Sequence, residues 1–249
     1  MVTSELLRAV RLGKEDEALT ELYGADQLPA QRERYAAAIA EFASLYGERE
    51  VSVFTVAGRS EISGNHTDHN HGCVIAASND LDIIAVAARC ETNTISIKSE
   101  GFPRDVVSLS ERVPDPERYF TSGALIAGVA EGFCRAGLRV GGFVAYTTSN
   151  VLKGSGLSSS AAFEDMVGNI LNYLYNDGSV DNAEIAKIAQ FAENEFFGKP
   201  CGLMDQVACA VGGFVSIDFA DPKAPVIQKA DFDLAAHGYA LCIVSTGGN

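Results

Sequence analysis

The chain has 249 residues, with 33 acidic and 19 basic side chains, a formal charge of −14 and 47% apolar residues. These values describe an ordinary globular protein of one large or two small domains, and they exclude extended disorder. An acidic chain without a basic stripe repels nucleic-acid phosphates, and no apolar run approaches the ~18 residues that cross a bilayer.

Residues 4–47 have helical spacing: Leu6, Leu7 and Val10 open an amphipathic stretch, and Tyr35, Ile39, Phe42, Leu45 and Tyr46 continue one to Gly47. The N-terminus lacks the apolar core of a signal peptide. From Val51 the period changes to two, which predicts strands near 51–55, 73–78, 81–90 and 93–98. Positions 117–136 return to helical spacing, and 140–148 reads as a strand. After a Gly/Ser loop, Phe163, Val167, Ile170, Leu171 and Leu174 give the next helix an apolar face. Asp181 with Glu184 has the spacing of a capping box for another helix. A short helix carrying Asp205 follows, then strands near 213–219 and 239–246. Strands and helices come in blocks, which favours an α+β fold over a doubly wound sheet. The chain stops at Asn249 just after an apolar run, as a truncated chain would. The cysteines at 73, 90, 134, 201, 209 and 242 form no C-x-x-C pair, and they suit reduced thiols in a cytoplasmic protein.

Three segments can carry chemistry. In Gly154-Ser155-Gly156-Leu157-Ser158-Ser159-Ser160 a glycine turn leads into a serine-started helix, whose free N–H groups and dipole suit phosphate. It lacks the Gly-Lys-Ser/Thr of a Walker A loop, and a Ser-capped linker is the plain alternative. The stretch Gly58 to Gly72 crowds Arg59, Asn65, His66, Asp68, His69 and His71 into what reads as a loop between strands. Such groups can bind a polyhydroxylated ligand, hold a metal through His66-x-Asp68-His69, or simply form a solvated turn. In the third segment, Asp205 lies among Leu203, Met204, Val207 and Ala208, so its charge needs a partner, and Arg59 is a candidate.

In this order the segments resemble the galactokinase branch of the GHMP small-molecule kinases. Gly58-Arg59…Gly64-Asn65-His66-Thr67-Asp68-His69-Asn70 is similar to its G-R-x-N-x-x-G-E-H-T-D-Y-N signature. Asn150 to Ala162 is similar to its N-V-P-x-G-x-G-L-S-S-S-A-A loop, and Cys201-Gly-Leu-Met-Asp-Gln206 after Glu193 to its C-G-I-M-D-Q. The resemblance implies a GHMP-kinase N-terminal domain, of the ribosomal protein S5 domain 2-like class, over 49–212. A helical extension over 1–48 would precede it, and the start of a second domain over 213–249 would follow.

It further implies an ATP- and Mg2+-dependent enzyme that phosphorylates the anomeric hydroxyl of galactose or a similar sugar, with a non-catalytic sugar and ATP sensor as the alternative. Asp205 and Arg59 take the catalytic positions. Asn65, His66, Thr67 and Asp68 take those of the sugar, residues 154–160 those of the ATP phosphates, and Ser160 with Glu193 those of magnesium. The partners implied are the sugar and ATP, with no nucleic acid or membrane. Two departures stand out: Asn65 replaces the family's Glu, which grips the sugar's C6 hydroxyl, and Glu61 replaces its Asn. An uncharged Asn65 implies altered C6 specificity, towards a sugar with a C6 carboxylate.

Overall fold

The computed structural model describes residues 1–110, 112–151 and 156–244. Its sheet is organised around one 17-residue strand, β2 (Cys73–Arg89). β1 (Ser52–Ser63) lies antiparallel along one edge of β2. The opposite edge takes two neighbours in succession. β5 (Phe143–Ser149) pairs with residues 83–89, and β6 (Phe214–Asp218) pairs with 73–77. Beyond β5 come β3 (Thr94–Ser99), parallel to it, and then β4 (Arg104–Ser108). Beyond β6 comes β7 (Val226–Ala230), so the sheet has seven strands.

Helices cover both faces, which explains the unbroken apolar run 83–88. Successive strand side chains point to opposite faces. Ile83, Ala85 and Ala87 enter a core with residues of α4 (Ser122–Arg135), α5 (Ser159–Tyr175) and α6 (Asn182–Phe191). Ile84, Val86 and Ala88 enter a second core with α1 (Thr3–Arg11), α2 (Asp16–Tyr23) and α3 (Leu28–Tyr46). Phe42 and Ile39 of α3 are almost fully buried there. At roughly 1.5–3 kcal/mol for each large apolar side chain buried, the N-terminal helices contribute to stability and are no loose appendage. α7 (Met204–Val211) packs over the first half of β2 with β6 in a third cluster.

The chain is α+β, and the segment expected to open a second domain begins inside the same sheet, as the β6–β7 hairpin. The Asp181 carboxylate accepts a 2.8 Å bond from the Glu184 N–H and caps α6 as its spacing implies. Several expectations need correction. The strands expected at 73–78 and 81–90 are one, because Asn79 and Asp80 bend the strand instead of reversing it. The loop expected from Gly58 starts only after Ser63, since β1 continues to that residue with a register shift between Ala57 and Arg59. The helical stretch 4–47 is three helices, broken at Leu12–Glu15 and Gly24–Gln27. Residues 239–244 form no strand: their apolar side chains find no neighbouring strand, and Tyr239, Leu241 and Val244 are exposed. The expected strand's last positions, 245 and 246, lie outside the described residues.

Candidate active site

The bulge in β1 falls at Gly58, and Arg59, paired again with Ser78, lies beneath the segment entering α5. Close approach requires Gly58 here, because a Cβ would lie 2.9 Å from the Leu157 carbonyl oxygen. The Arg59 N–H donates to that same carbonyl at 3.2 Å. Its guanidinium then forms a fork on Asp205, with Nε donating to Oδ1 at 2.8 Å and Nη2 to Oδ2 at 2.6 Å. The remaining arm, Nη1, donates to the Gly156 carbonyl. Bidentate charge-assisted bonds of this kind fix orientation as well as charge. Burial raises the Asp205 pKa, but the Arg59 bonds and charge, with a bond from the Ser158 hydroxyl, outweigh it and hold the carboxyl below its ordinary value. The side chain keeps 31% of its surface exposed, so the carboxylate is partly open to solvent.

Ser158 has a left-handed backbone, and its side chain makes no capping bond to α5. The plain reading of that serine as an N-cap is therefore replaced: its hydroxyl serves Asp205, and the cap position stays open. Leu157 is buried in the main core and anchors the segment. Ser159 and Ser160 line the wall of a cavity of about 760 Å³. Gly154 and Ser155, both expected at the phosphates, lie outside the described residues. The cavity continues over Ile83, Phe102, Phe120, Phe163 and Phe197, with Glu100 and Asp105 at its polar side. None of these lining residues was legible as a site, because aromatic residues scattered over four segments carry no local pattern.

The Ser160 hydroxyl donates to Glu193 Oε1 at 3.1 Å, so the two residues expected to hold magnesium meet. Hydroxyl and carboxylate oxygens suit Mg2+, which commonly takes one or two protein ligands and completes its shell with phosphates and water. The residues present fit that ion. Lys199 Nζ also donates to Glu193 Oε1, at 2.9 Å, and Gln206 Nε2 donates to Oε2 at 2.8 Å. Burial alone would lower the Lys199 pKa, but the bond and charge of Glu193 raise it. Gln206 also reaches Glu164 Oε2 at 3.3 Å. Lys199 and Gln206 went unnoticed as partners of Glu193, although Gln206 ends the motif that carries Asp205.

The remaining segment is a tight turn. Asn65 and His66 both have left-handed backbones. The Thr67 hydroxyl donates to the Gly64 carbonyl at 2.9 Å and closes the turn on itself. Asp68 is buried and accepts a 3.3 Å bond from the Met204 N–H. Gly202 permits this, since a Cβ there would lie 1.7 Å from Asp68 Oδ2. Glu61 holds His66 twice: Oε1 accepts from its N–H at 2.8 Å and Oε2 lies 3.3 Å from Nε2. A carboxylate thus reaches this turn from position 61, beside the uncharged Asn65. The three histidines diverge, His66 to Glu61, His69 to Asp68 and His71 to the Ala220 carbonyl. Among the described residues no group of three His, Cys, Asp or Glu side chains is placed to hold a metal, which removes the histidine-cluster reading.

Residues 124–213 match the family model of the GHMP kinases N terminal domain, and residues 40–89 match the galactokinase galactose-binding signature. A galactokinase of Clostridium tetani is 34% identical over 206 residues, covering 83% of this chain and 52% of that protein. The crystal structure of Lactococcus lactis galactokinase complexed with galactose superposes with a TM-score of 0.70 at 26% identity, covering 78% of this chain and 51% of that one. Methanococcus jannaschii mevalonate kinase shares the fold, with a TM-score of 0.61 at 16% identity, over 75% of this chain and 58% of its own. The chain spans about half the length of the curated relatives it matches. Among the described residues no helix is long and apolar enough to cross a membrane.

Proposed function

The chain belongs to the GHMP kinases, and on that ground we propose that the protein transfers the terminal phosphoryl group of ATP to the anomeric hydroxyl of galactose or a galactose-like sugar. One observation carries the reading: a single guanidinium joins an ionised, part-exposed Asp205 to the Gly156 carbonyl of the segment that enters α5. Phosphoryl transfer needs little covalent work from a protein, so placement and charge are the contributions to look for.

In this reading Asp205 orients the sugar hydroxyl and receives its proton as the O–P bond forms. A carboxylate with a depressed pKa is a weak proton acceptor, which suits a loose transition state in which the hydroxyl keeps its proton until late. Arg59 holds Asp205 ionised and places positive charge beside the phosphate path. Asn65, His66 and Asp68 hydrogen-bond the sugar, with Thr67 and Glu61 holding the turn that presents them. Glu61 and Asp68 make this end of the site anionic, which favours a neutral sugar over a uronic acid. The ATP phosphates lie along 154–160 and the nucleoside in the aromatic cavity. Ser160 and Glu193 would hold Mg2+, which when bound neutralises phosphate charge. A cytoplasmic location, where ATP and reduced thiols coexist, suits this chemistry.

The experiment is incubation of the complete gene product that carries this chain with γ-labelled ATP and a panel of galactose, glucose and galacturonate. The expected result is labelled galactose 1-phosphate in excess over the other products. Binding of ATP and sugar without label transfer would support the sensor reading instead.

A further inference from the structure

A carboxylate withdrawn from water is stable only when donors surround it. Asp82, 2% exposed, is such a group, and it lies outside the site described above. It belongs to the stretch 78–82 of β2, which falls between the residues paired with β6 and those paired with β5. Three elements converge on its side chain. From α3, Arg34 Nη1 donates to Oδ1 at 2.5 Å, while Nη2 donates to the Asp82 carbonyl at 3.0 Å. From α2, the Tyr23 hydroxyl donates to Oδ2 at 2.5 Å, with the Tyr35 hydroxyl 2.7 Å behind it. From β1, the Thr55 hydroxyl donates to Oδ2. Burial and the charge of Asp82 push the Tyr23 pKa far up, so this phenol stays a donor.

The backbone of Asp82 serves the other direction. Its N–H donates to Asn150 Oδ1 at 2.6 Å, and its carbonyl accepts from the Asn150 N–H at 3.1 Å. Asn150 is the first residue after β5, and the buried Val151 next to it packs against Gly58. Asp82 also faces Ala57, the last residue of β1 before the bulge at Gly58. Asp82 therefore ties the N-terminal helices, through its carboxylate, to a backbone that meets both the exit of β5 and the residue ahead of the β1 bulge.

We propose that Arg34, Tyr23 and Asp82 are positioning residues for the nucleotide site, through which the N-terminal helices set where the chain leaves β5 at Asn150 and Val151. The identity of the nucleotide rests on the phosphotransferase reading, whereas the positioning does not. The test uses the 249-residue chain and the variants Arg34→Gln, Arg34→Lys and Tyr23→Phe, with Ile39→Val as a packing control in the same helix layer. Three readouts are taken: calorimetric binding of ATP with Mg2+, binding of galactose, and amide exchange of peptides covering 150–158 and 182–197.

Arg34→Gln should weaken ATP binding by about ten- to a hundredfold, the scale of a small misplacement, with galactose affinity within about twofold. Exchange over 150–158 should accelerate while 182–197 is unchanged. Tyr23→Phe, which removes one hydroxyl and opens no cavity, should act in the same direction more weakly, and Arg34→Lys should recover part of the loss. Unchanged exchange over 150–158, or an equal loss for Ile39→Val, would overturn the proposal. A wild-type chain that binds no ATP yet shows the exchange response would remove the nucleotide reading and leave the positioning intact.

Discussion

Asp205 at the start of α7 and Asp165 within α5 are both drawn away from water, and they end in opposite states. Asp205 has a guanidinium and a hydroxyl on its oxygens and stays ionised below the ordinary carboxylate range. Neither oxygen of the fully buried Asp165 has a partner, and burial, then the charge of Glu164, drive its pKa well up. Their neighbours, more than their depth, decide the difference. A paired carboxylate is available for chemistry, whereas an unpaired one takes up a proton and costs stability.

The sharpest way to break this contrast is Asp205→Asn. The amide keeps the shape and loses the charge, so turnover should fall about 10²–10⁴-fold while the denaturation midpoint moves little; equal turnover would deny Asp205 its role. Next is Gln206→Leu, which removes the amide holding Glu193 Oε2 and bridging to Glu164. Outer-shell losses of this kind typically cost about 10–100-fold in metal affinity, to be read as the Mg2+ concentration for half-maximal activity or by direct calorimetric titration.

The smallest effect concerns Asp165→Val, which should raise unfolding free energy at neutral pH by about 1–3 kcal/mol, the cost of an unsatisfied buried polar group. The sign follows from proton counting. Asp165 keeps its proton in the folded state and loses it in the unfolded one, so wild-type stability falls as pH rises above the unfolded carboxyl value. The advantage of the variant should therefore shrink between neutral and acid pH in urea denaturation, and a pH-independent difference would show that folding leaves the Asp165 carboxyl unshifted.

Much of the frame is legible in the residues because one or two neighbours in sequence decide it. Alternation marks β1 and β3, apolar spacing marks α4 and α5, and Asp181 marks the start of α6. The need of Asp205 for a cation is likewise legible from its apolar neighbours, and Arg59 supplies it. What escapes sequence reading depends on distant partners. Asn79-Asp80 has turn chemistry, yet β2 runs through it as one strand, held by the pairs on either side of it. β4 and β7 are short, polar edge strands with little alternation. The apolar run at 239–244 fails as a strand because no strand edge lies beside it, while Asp82 gathers donors 27, 48 and 59 positions away.

The single long strand also dictates an order of events on the ribosome. β2 is synthesised about 130 residues before β6 is complete, a delay of roughly 6–26 s at common elongation rates. Throughout it, Cys73–Ala77 presents an open backbone edge to solvent, with Val74 and Ala76 uncovered. Late closure of distant strand pairs slows folding and invites mispairing between nascent chains. Shielding of extended apolar segments should therefore matter most before Asp218 emerges.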